Sequence, residues 1–212
     1  MQDAVNLGWK LAAAVNGWAP AGLLDTYQSE GYPVGERVML QSMSQTALFG
    51  PGPEIAALRK LFNELLQQQS VAEHTAHLLA GSDVRYDVGD DHPLAGRLMP
   101  DVMLDDGRRV AELLHRARPV LLDLSGGRVG EAARGWADRV NVVAGAVADF
   151  EACALLIRPD GYVAWAADTF EADDENRLHA ALHRWFGVSL AERGAARPDG
   201  GLSSAPVEER TA

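Results

Sequence analysis

The residues best able to do chemistry in this sequence form short constellations, and each constellation is incomplete. Ser125-Gly126-Gly127-Arg128-Val129-Gly130 follows an apolar run and opens a helical pattern, the setting in which a G-x-G-x-x-G turn holds a dinucleotide pyrophosphate. Asp149 and Glu151 stand about twenty residues further on, where a ribose-binding acid belongs. Serine, however, replaces the first glycine, the one that makes the tight turn, so a plain strand-to-helix turn is the favoured reading. His74 and His77 lie one helical turn apart, as do His179 and His183. Zinc needs three or four ligands, and neither pair has an evident third partner, so no metal site is assigned. Cys153 precedes an apolar strand pattern and reads as a buried, inert thiol. No serine–histidine–acid or cysteine–histidine pattern stands out, and the acidic residues are dispersed over turns and solvated faces. No catalytic residue is assigned from these patterns.

Composition narrows the classes of function. With 212 residues, 47% of them hydrophobic, the chain can bury one sizeable core or two small ones. A net charge of −11 opposes binding to nucleic acid or to an anionic membrane, which needs a basic stripe. A single cysteine excludes an internal disulfide and any C-x-x-C pair. No apolar run is long enough to span a bilayer, and the N-terminus lacks the order of a signal peptide. A cytoplasmic protein is expected.

The elements that must position these residues fall into two regions. Met1 to Val15 reads as a helix whose Leu7, Leu11 and Val15 recur every four residues, with Ala4, Ala12 and Ala14 around them and Asn16-Gly17 as the stop. A largely apolar helix with nothing before it suggests a surface made to be buried by something upstream. Helical patterns follow over residues 23–30, 34–49, 54–66 and 71–79, with Pro33 expected to kink or restart the second. The stretch at 54–66 places Ile55, Leu58, Leu61, Phe62 and Leu65 on one face. Residues 83–100 read as a loop. Beyond them come short strands at 102–104, 119–124 and 140–143, the last two read as buried, with helices at 110–115 and 131–136 between them. A hairpin of 154–157 and 162–166 turns through Pro159-Asp160-Gly161, and a closing helix at 175–186 turns Leu178, Leu182 and Trp185 or Phe186 inward. Strand-helix-strand, hairpin, helix is the thioredoxin-like order. The Gly-, Pro-, Ser- and charge-rich stretch from Ser189 is expected to be disordered.

Several words of the sequence, taken in order, point to a family. They are Q-D-A-V-N-L-G-W-K-L-A at residues 2–12, L-L-D-T-Y-Q-S-E at 23–30, P-V-G-E-R-V at 33–38, D-V-R-Y-D at 83–87, H-P-L-A-G-R at 92–97, R-P-V-L-L-D-L at 118–124 and R-P-D-G-Y-V-A-W at 158–165. The series resembles the FAD-dependent aromatic hydroxylases of the para-hydroxybenzoate hydroxylase type, in the branch that tailors aromatic polyketides and rifamycins. Gly31 departs from the pattern, which usually has arginine there. The resemblance implies an α/β architecture: a helical remnant of an FAD/substrate domain at 1–82, a linker at 83–100, a thioredoxin-like domain without C-x-x-C at 101–188 and a disordered tail at 189–212. It implies FAD as cofactor, NAD(P)H as co-substrate and an aromatic small molecule as substrate of the full enzyme. It also places Gln2, Asp3 and Asn6 at the helix end that approaches the flavin, where backbone N–H groups favour negative charge. The family's glycine-rich dinucleotide fold is not in these residues, so the chain alone is expected to be inactive. A separate flavin-domain polypeptide or a homodimer is an implied partner. The other reading is a non-catalytic thioredoxin-like module that dimerises or binds a partner.

Overall fold

The computed structural model describes residues 1–148 and 150–195. Four helices occupy the first region: α1 (Gln2–Val15), α2 (Asp25–Phe49), α3 (Pro53–Leu65) and α4 (Gln69–Ala80). Gly81, in the left-handed conformation at φ 67°, closes α4. The helix does not restart at Pro33: α2 passes through it as one 25-residue helix. Pro33 and Ser29, whose carbonyl loses its helical partner, are both exposed, so water can take the freed acceptor. Glu30 and Val34 meanwhile pack against the rest of the protein.

The apolar period of α1 does not mark its packed face. Asn6, Trp9, Lys10 and Ala13 are buried, whereas Leu11 is 46% and Val15 87% exposed. Spacings of three and four put the buried set on one stripe, and that stripe meets α2 and the second region. The apolar face of α3 is likewise open, with Leu58, Leu61 and Leu65 exposed.

The second region is built on a four-stranded sheet: β1 (Val120–Asp123), β2 (Asn141–Ala144), β3 (Ala154–Ile157) and β4 (Val163–Ala167), in spatial order β2-β1-β3-β4. β1 and β2 are parallel; β3 is antiparallel to both β1 and β4. With helix α5 (Val110–Leu113) ahead of β1, α6 (Arg128–Ala132) between β1 and β2, and α7 (Ala172–Phe186) after the hairpin, this is the thioredoxin-like order. Leu121, Leu156 and Ala164 face α6, α7 and α1, while Leu122, Leu155 and Ile157 face α5 and the segment around Met99 and Leu104. Covering both faces explains the unbroken apolar runs of β3 and β4 and the Val120, Leu121 and Leu122 of β1. A bulge opposite Leu156 and Ile157 lets both Ala164 and Trp165 of β4 point toward α7.

Three expectations are corrected here. Residues 102–104 make only a single bridge, Met103 to Arg109, because the turn at Asp105-Asp106-Gly107 leads directly into α5. β2 is an edge strand with only Val143 buried, and the buried Val140 precedes it. Residues 190–195 form a helix, α8 (Leu190–Ala195), held by a reciprocal capping box: Ser189 N–H donates to Glu192 Oε2 at 2.7 Å and Glu192 N–H to Ser189 Oγ at 3.4 Å. The rest of the expected tail, 196–212, lies outside the described residues.

Residues 83–100 have irregular backbone, yet Tyr86, Val88, Ala95 and Met99 are buried between the helices and the sheet. Gly96, at φ 75°, makes this strap possible: a Cβ there would lie 2.0 Å from the Tyr86 carbonyl oxygen, and its N–H donates to Val163 O at 2.8 Å.

Candidate functional site

The densest chemistry lies where α1, α2 and the β3–β4 turn meet. Glu30 of α2 accepts from Asn6 Nδ2 at 2.6 Å and Lys10 Nζ at 2.8 Å, both from α1. It also accepts from Arg158 at the end of β3, at 2.5 Å from Nη1 and 3.0 Å from Nη2. Asp160, in the turn, pairs with the same guanidinium and accepts from Trp9 Nε1 at 2.9 Å. Lys10 donates in addition to Asn6 Oδ1 at 2.8 Å. Lys10 and Arg158 are 0% exposed, and the Glu30 and Asp160 side chains 4% and 1%. Two buried cations thus face two buried carboxylates, the balance that makes such burial tolerable.

Aromatic rings close the cluster. The Arg158 guanidinium lies 4.6 Å from the Trp185 ring centre, 5.4 Å from Trp9, 5.4 Å from Tyr86 and 5.8 Å from Tyr162. Tyr86 and Tyr162 stack on each other at 4.3 Å. Burial pushes the Glu30 carboxyl up, but Arg158, Lys10 and Asn6 outweigh it and hold its pKa below the ordinary value. For Lys10 burial prevails over the pull of Glu30, with Arg158 repelling it too, and its pKa is lowered. Arg158 goes the other way: burial opposes its charge, and the two carboxylates raise its pKa regardless. Burial, reinforced by Tyr162, raises the Tyr86 phenol well above its usual range.

Next to this cluster is a cleft of about 540 Å³ lined by Gln2, Asp3, Asn6, Tyr27, Val34 and Tyr86, among others. The three residues expected at a flavin are therefore brought to one place but differ in burial. Gln2 and Asp3 are exposed, and Asp3 Oδ2 accepts from the Tyr27 hydroxyl at 3.1 Å. Asn6 is 3% exposed with its amide engaged by Glu30 and Lys10. No side chain caps the N-terminus of α1, which leaves first-turn N–H groups available to an anionic or electron-rich group in the cleft. Backbone N–H donors of this kind are the chemistry that an electron-rich flavin edge would need. Among the described residues, no glycine-rich pyrophosphate cradle accompanies them.

Several other sequence candidates are engaged within the fold, whereas His74 and Glu151 are exposed. Asp123 fills the Ser125–Gly130 turn with its own carboxylate, accepting from Ser125 N at 2.9 Å, Ser125 Oγ at 2.6 Å and Gly130 N at 2.7 Å. Burial raises the Asp123 pKa, but these donors more than reverse that, and it lies below the ordinary value. Asp149 lies outside the described residues. His77 Nδ1 contacts Ser82 Oγ at 2.9 Å, His179 Nε2 contacts Ala132 O at 2.9 Å, and His183 stands edge-on to Trp136 at 5.0 Å. Cys153 is half-buried, not fully buried as expected, and burial raises its pKa. A second cleft of about 470 Å³ between α2, α3 and α4 is walled by Leu40, Leu48, Phe62 and Leu78, and its one charged residue, Arg37, pairs with Asp83.

Sequence reading missed Lys10, Glu30, Arg158 and Asp160 as a group. A signal was present. Lys10 is the only charge in the run from Ala4 to Val15, and Arg158 directly follows four consecutive buried apolar residues.

Residues 92–189 match the family model described as aromatic-ring hydroxylase, C-terminal, and residues 1–42 match the one described as FAD binding domain. The rifampicin monooxygenase of Streptomyces venezuelae is 42% identical over 191 residues, which cover 90% of this chain and 38% of that protein. The solved structure of OxyS anhydrotetracycline hydroxylase from Streptomyces rimosus superposes with a TM-score of 0.81 at 42% identity, covering 89% of this chain and 40% of that one. CabE, an aromatic hydroxylase from angucycline biosynthesis, gives a TM-score of 0.79 at 46% identity, covering 89% and 40%. The chain spans about two fifths of the length of these relatives. No helix among the described residues is long and apolar enough to cross a membrane. Carrying the C-terminal domain of the aromatic-ring hydroxylases behind a stretch of FAD-binding domain, the chain belongs to the FAD-dependent aromatic hydroxylase family.

Proposed function

We propose that this chain supplies the C-terminal part of a cytoplasmic FAD-dependent monooxygenase that hydroxylates phenolic or polyketide-like aromatic rings with NAD(P)H and O2. The observation that carries the reading is the uncapped N-terminus of α1, within the stretch matching a FAD-binding domain, opening on the cleft beside Gln2 and Asp3. FAD reduced by NAD(P)H supplies the oxygen-activating chemistry, and the protein orients it and excludes water. Gln2 and Asp3 stand at the flavin side of the cleft, and the first-turn amides of α1 favour negative charge on the ring. Asn6 acts from behind, fixing the helix. The thioredoxin-like domain contributes packing and no group to the reacting atoms.

A flavin-binding region on the same or a second polypeptide completes the site, and the exposed Val5, Leu11 and Val15 of α1 are the surface it covers. The chain by itself is expected to bind FAD poorly and not to hydroxylate. The test is to purify residues 1–212 alone and together with the flavin-binding region of the Streptomyces venezuelae relative. Visible flavin absorbance and substrate-dependent NAD(P)H oxidation should appear only in the pair. A full equivalent of FAD on the single chain, or none on the pair, would sink the proposal.

The open apolar side chains Met39, Leu40, Met43 and Phe49 of α2 favour a second reading, a non-catalytic module that dimerises or binds a partner. Light scattering that finds a monomer with no tendency to associate counts against it.

A further inference from the structure

We propose that Arg158 and Asp160 are positioning residues that set the rotation and axial position of α1, and through it the placement of Gln2 and Asp3 at the cleft. The proposal rests on the functional reading above only for what the cleft receives; the positioning itself follows from the geometry of the cluster.

Three α1 residues meet the cluster, Asn6, Trp9 and Lys10, and each contributes a directional donor. Their spacing of three and four confines them to one stripe of the helix. Trp9 and Ala13 alone would allow a helix to roll or slide on an apolar surface at modest cost. The polar contacts do not. A roll by one residue, about 100°, would carry Lys10 from Glu30 and the Trp9 indole from Asp160, leaving buried charges and a donor without partners.

The other side of the cluster is anchored to the sheet. Arg158 directly follows β3, its backbone N–H donates to Tyr162 O at 2.8 Å, and four aromatic rings surround its guanidinium. Asp160 is fixed within the same turn, accepting from Arg158 Nε at 3.1 Å and from Tyr162 N at 3.3 Å. Glu30 then transfers this fixed position to Asn6 and Lys10. Asp3 lies one turn from Asn6, roughly 4.5 Å along the axis, so the flavin-side end of α1 is indexed to a hairpin of the thioredoxin-like domain. Tyr86, which packs on Arg158 and lines the cleft, provides a second route between the two. Lysine cannot replace Arg158 here, because one ammonium cannot serve two carboxylates with the planar fork that arginine presents.

The test measures position and not only stability. In a Cys153→Ser background, spin labels at Gln2→Cys and at Glu131→Cys on α6 report the distance between the start of α1 and the thioredoxin-like domain. The parent should give one narrow maximum. Asp160→Asn and Arg158→Lys should each broaden it or add a second maximum under conditions where circular dichroism shows the molecules folded. An unchanged distribution in folded Asp160→Asn and Arg158→Lys would overturn the proposal, since a merely stabilising role lowers the denaturation midpoint without moving α1. Should Arg158→Lys not fold, Asp160→Asn decides.

A second arm uses the pair with the relative's flavin-binding region, where FAD affinity should fall roughly tenfold or more in Asp160→Asn, the size expected for one lost charge-assisted hydrogen bond. Equal FAD affinity in the parent and Asp160→Asn pairs also overturns it. If the parent pair holds no FAD, the functional reading fails, and the label distances still judge the positioning.

Discussion

Glu30→Gln gives the most direct measure of the cluster's energetics, because it keeps side-chain size and removes one of the two carboxylates facing Lys10 and Arg158. Four donated hydrogen bonds converge on Glu30, at 2.5, 2.6, 2.8 and 3.0 Å. A glutamine offers one acceptor oxygen and turns an NH2 group toward the remaining donors. Removing one partner of a buried ion pair costs about 3–5 kcal/mol, and the retained acceptor places this substitution near the lower end, about 3 kcal/mol. At 1.4 kcal/mol per decade, that lowers the folded-to-unfolded ratio by roughly 100-fold. Urea unfolding followed by tryptophan fluorescence is the assay, since Trp9 and Trp185 lie 5.4 and 4.6 Å from the Arg158 guanidinium; the midpoint should fall at unchanged slope. Lys10→Met should cost less, because Glu30 stays bidentate on Arg158. The pair Lys10→Met/Glu30→Met should cost less than the sum of its singles, because it removes one charge of each sign. A Glu30→Gln protein within about 0.5 kcal/mol of the parent, or strict additivity in the double variant, would refute this account of the cluster.

Glu30 and Asp123 both have folded pKa values below their ordinary 4.5 and 3.8, so each contributes stability that is complete above those values and is lost as pH falls through the folded ones. Stability measured down an acid series should therefore drop below about pH 5, and the drop should be shallower in Glu30→Gln; an identical slope would remove Glu30 from the explanation. Gly96→Ala combines a left-handed φ of 75° with a Cβ that would sit 2.0 Å from Tyr86 O. It should destabilise by at least about 2 kcal/mol, and a thermal midpoint equal to the parent's would contradict the described strap. Ser189→Ala removes half of the capping box on α8 and should cost about 1 kcal/mol, read as a lowered urea midpoint with α8 amides exchanging faster.

The thioredoxin-like region was legible because covering a sheet on both faces forces apolar runs. V-L-L-D, A-L-L-I and V-A-W-A-A announce β1, β3 and β4, and Pro159-Asp160-Gly161 announces their hairpin. β2 was misjudged because Val140 and Val143 are buried for different reasons, one before the strand and one within it. The ordered words of residues 2–165 located the family where no catalytic pattern could. The buried cluster was hidden by sequence separation: Lys10 lies 20 residues from Glu30, and Glu30 lies 128 from Arg158. A lone lysine in an apolar helix also reads as a side chain reaching for water. Gln2, Asp3 and Asn6 share one face of α1 at spacings of three and four, but Asn6 lies one turn further along, where Glu30 covers it, while Gln2 and Asp3 stay exposed at the helix end. After Ser189 the Gly-, Pro- and charge-rich composition masks the Ser-x-x-Glu spacing of Ser189 and Glu192 that caps α8.

For anyone shuffling hydroxylases of this family, the cluster defines a linkage rule. A crossover anywhere between residues 31 and 157 takes Asn6, Lys10 and Glu30 from one parent and Arg158 and Asp160 from the other. Chimeras joined there should remain well behaved only when both parents carry the same charge at each of these positions. Exchanging just the β3–β4 turn between parents that differ would place an unmatched ion against the helix that borders the cleft. The five side chains are best moved as a set, even though most of the chain lies between them.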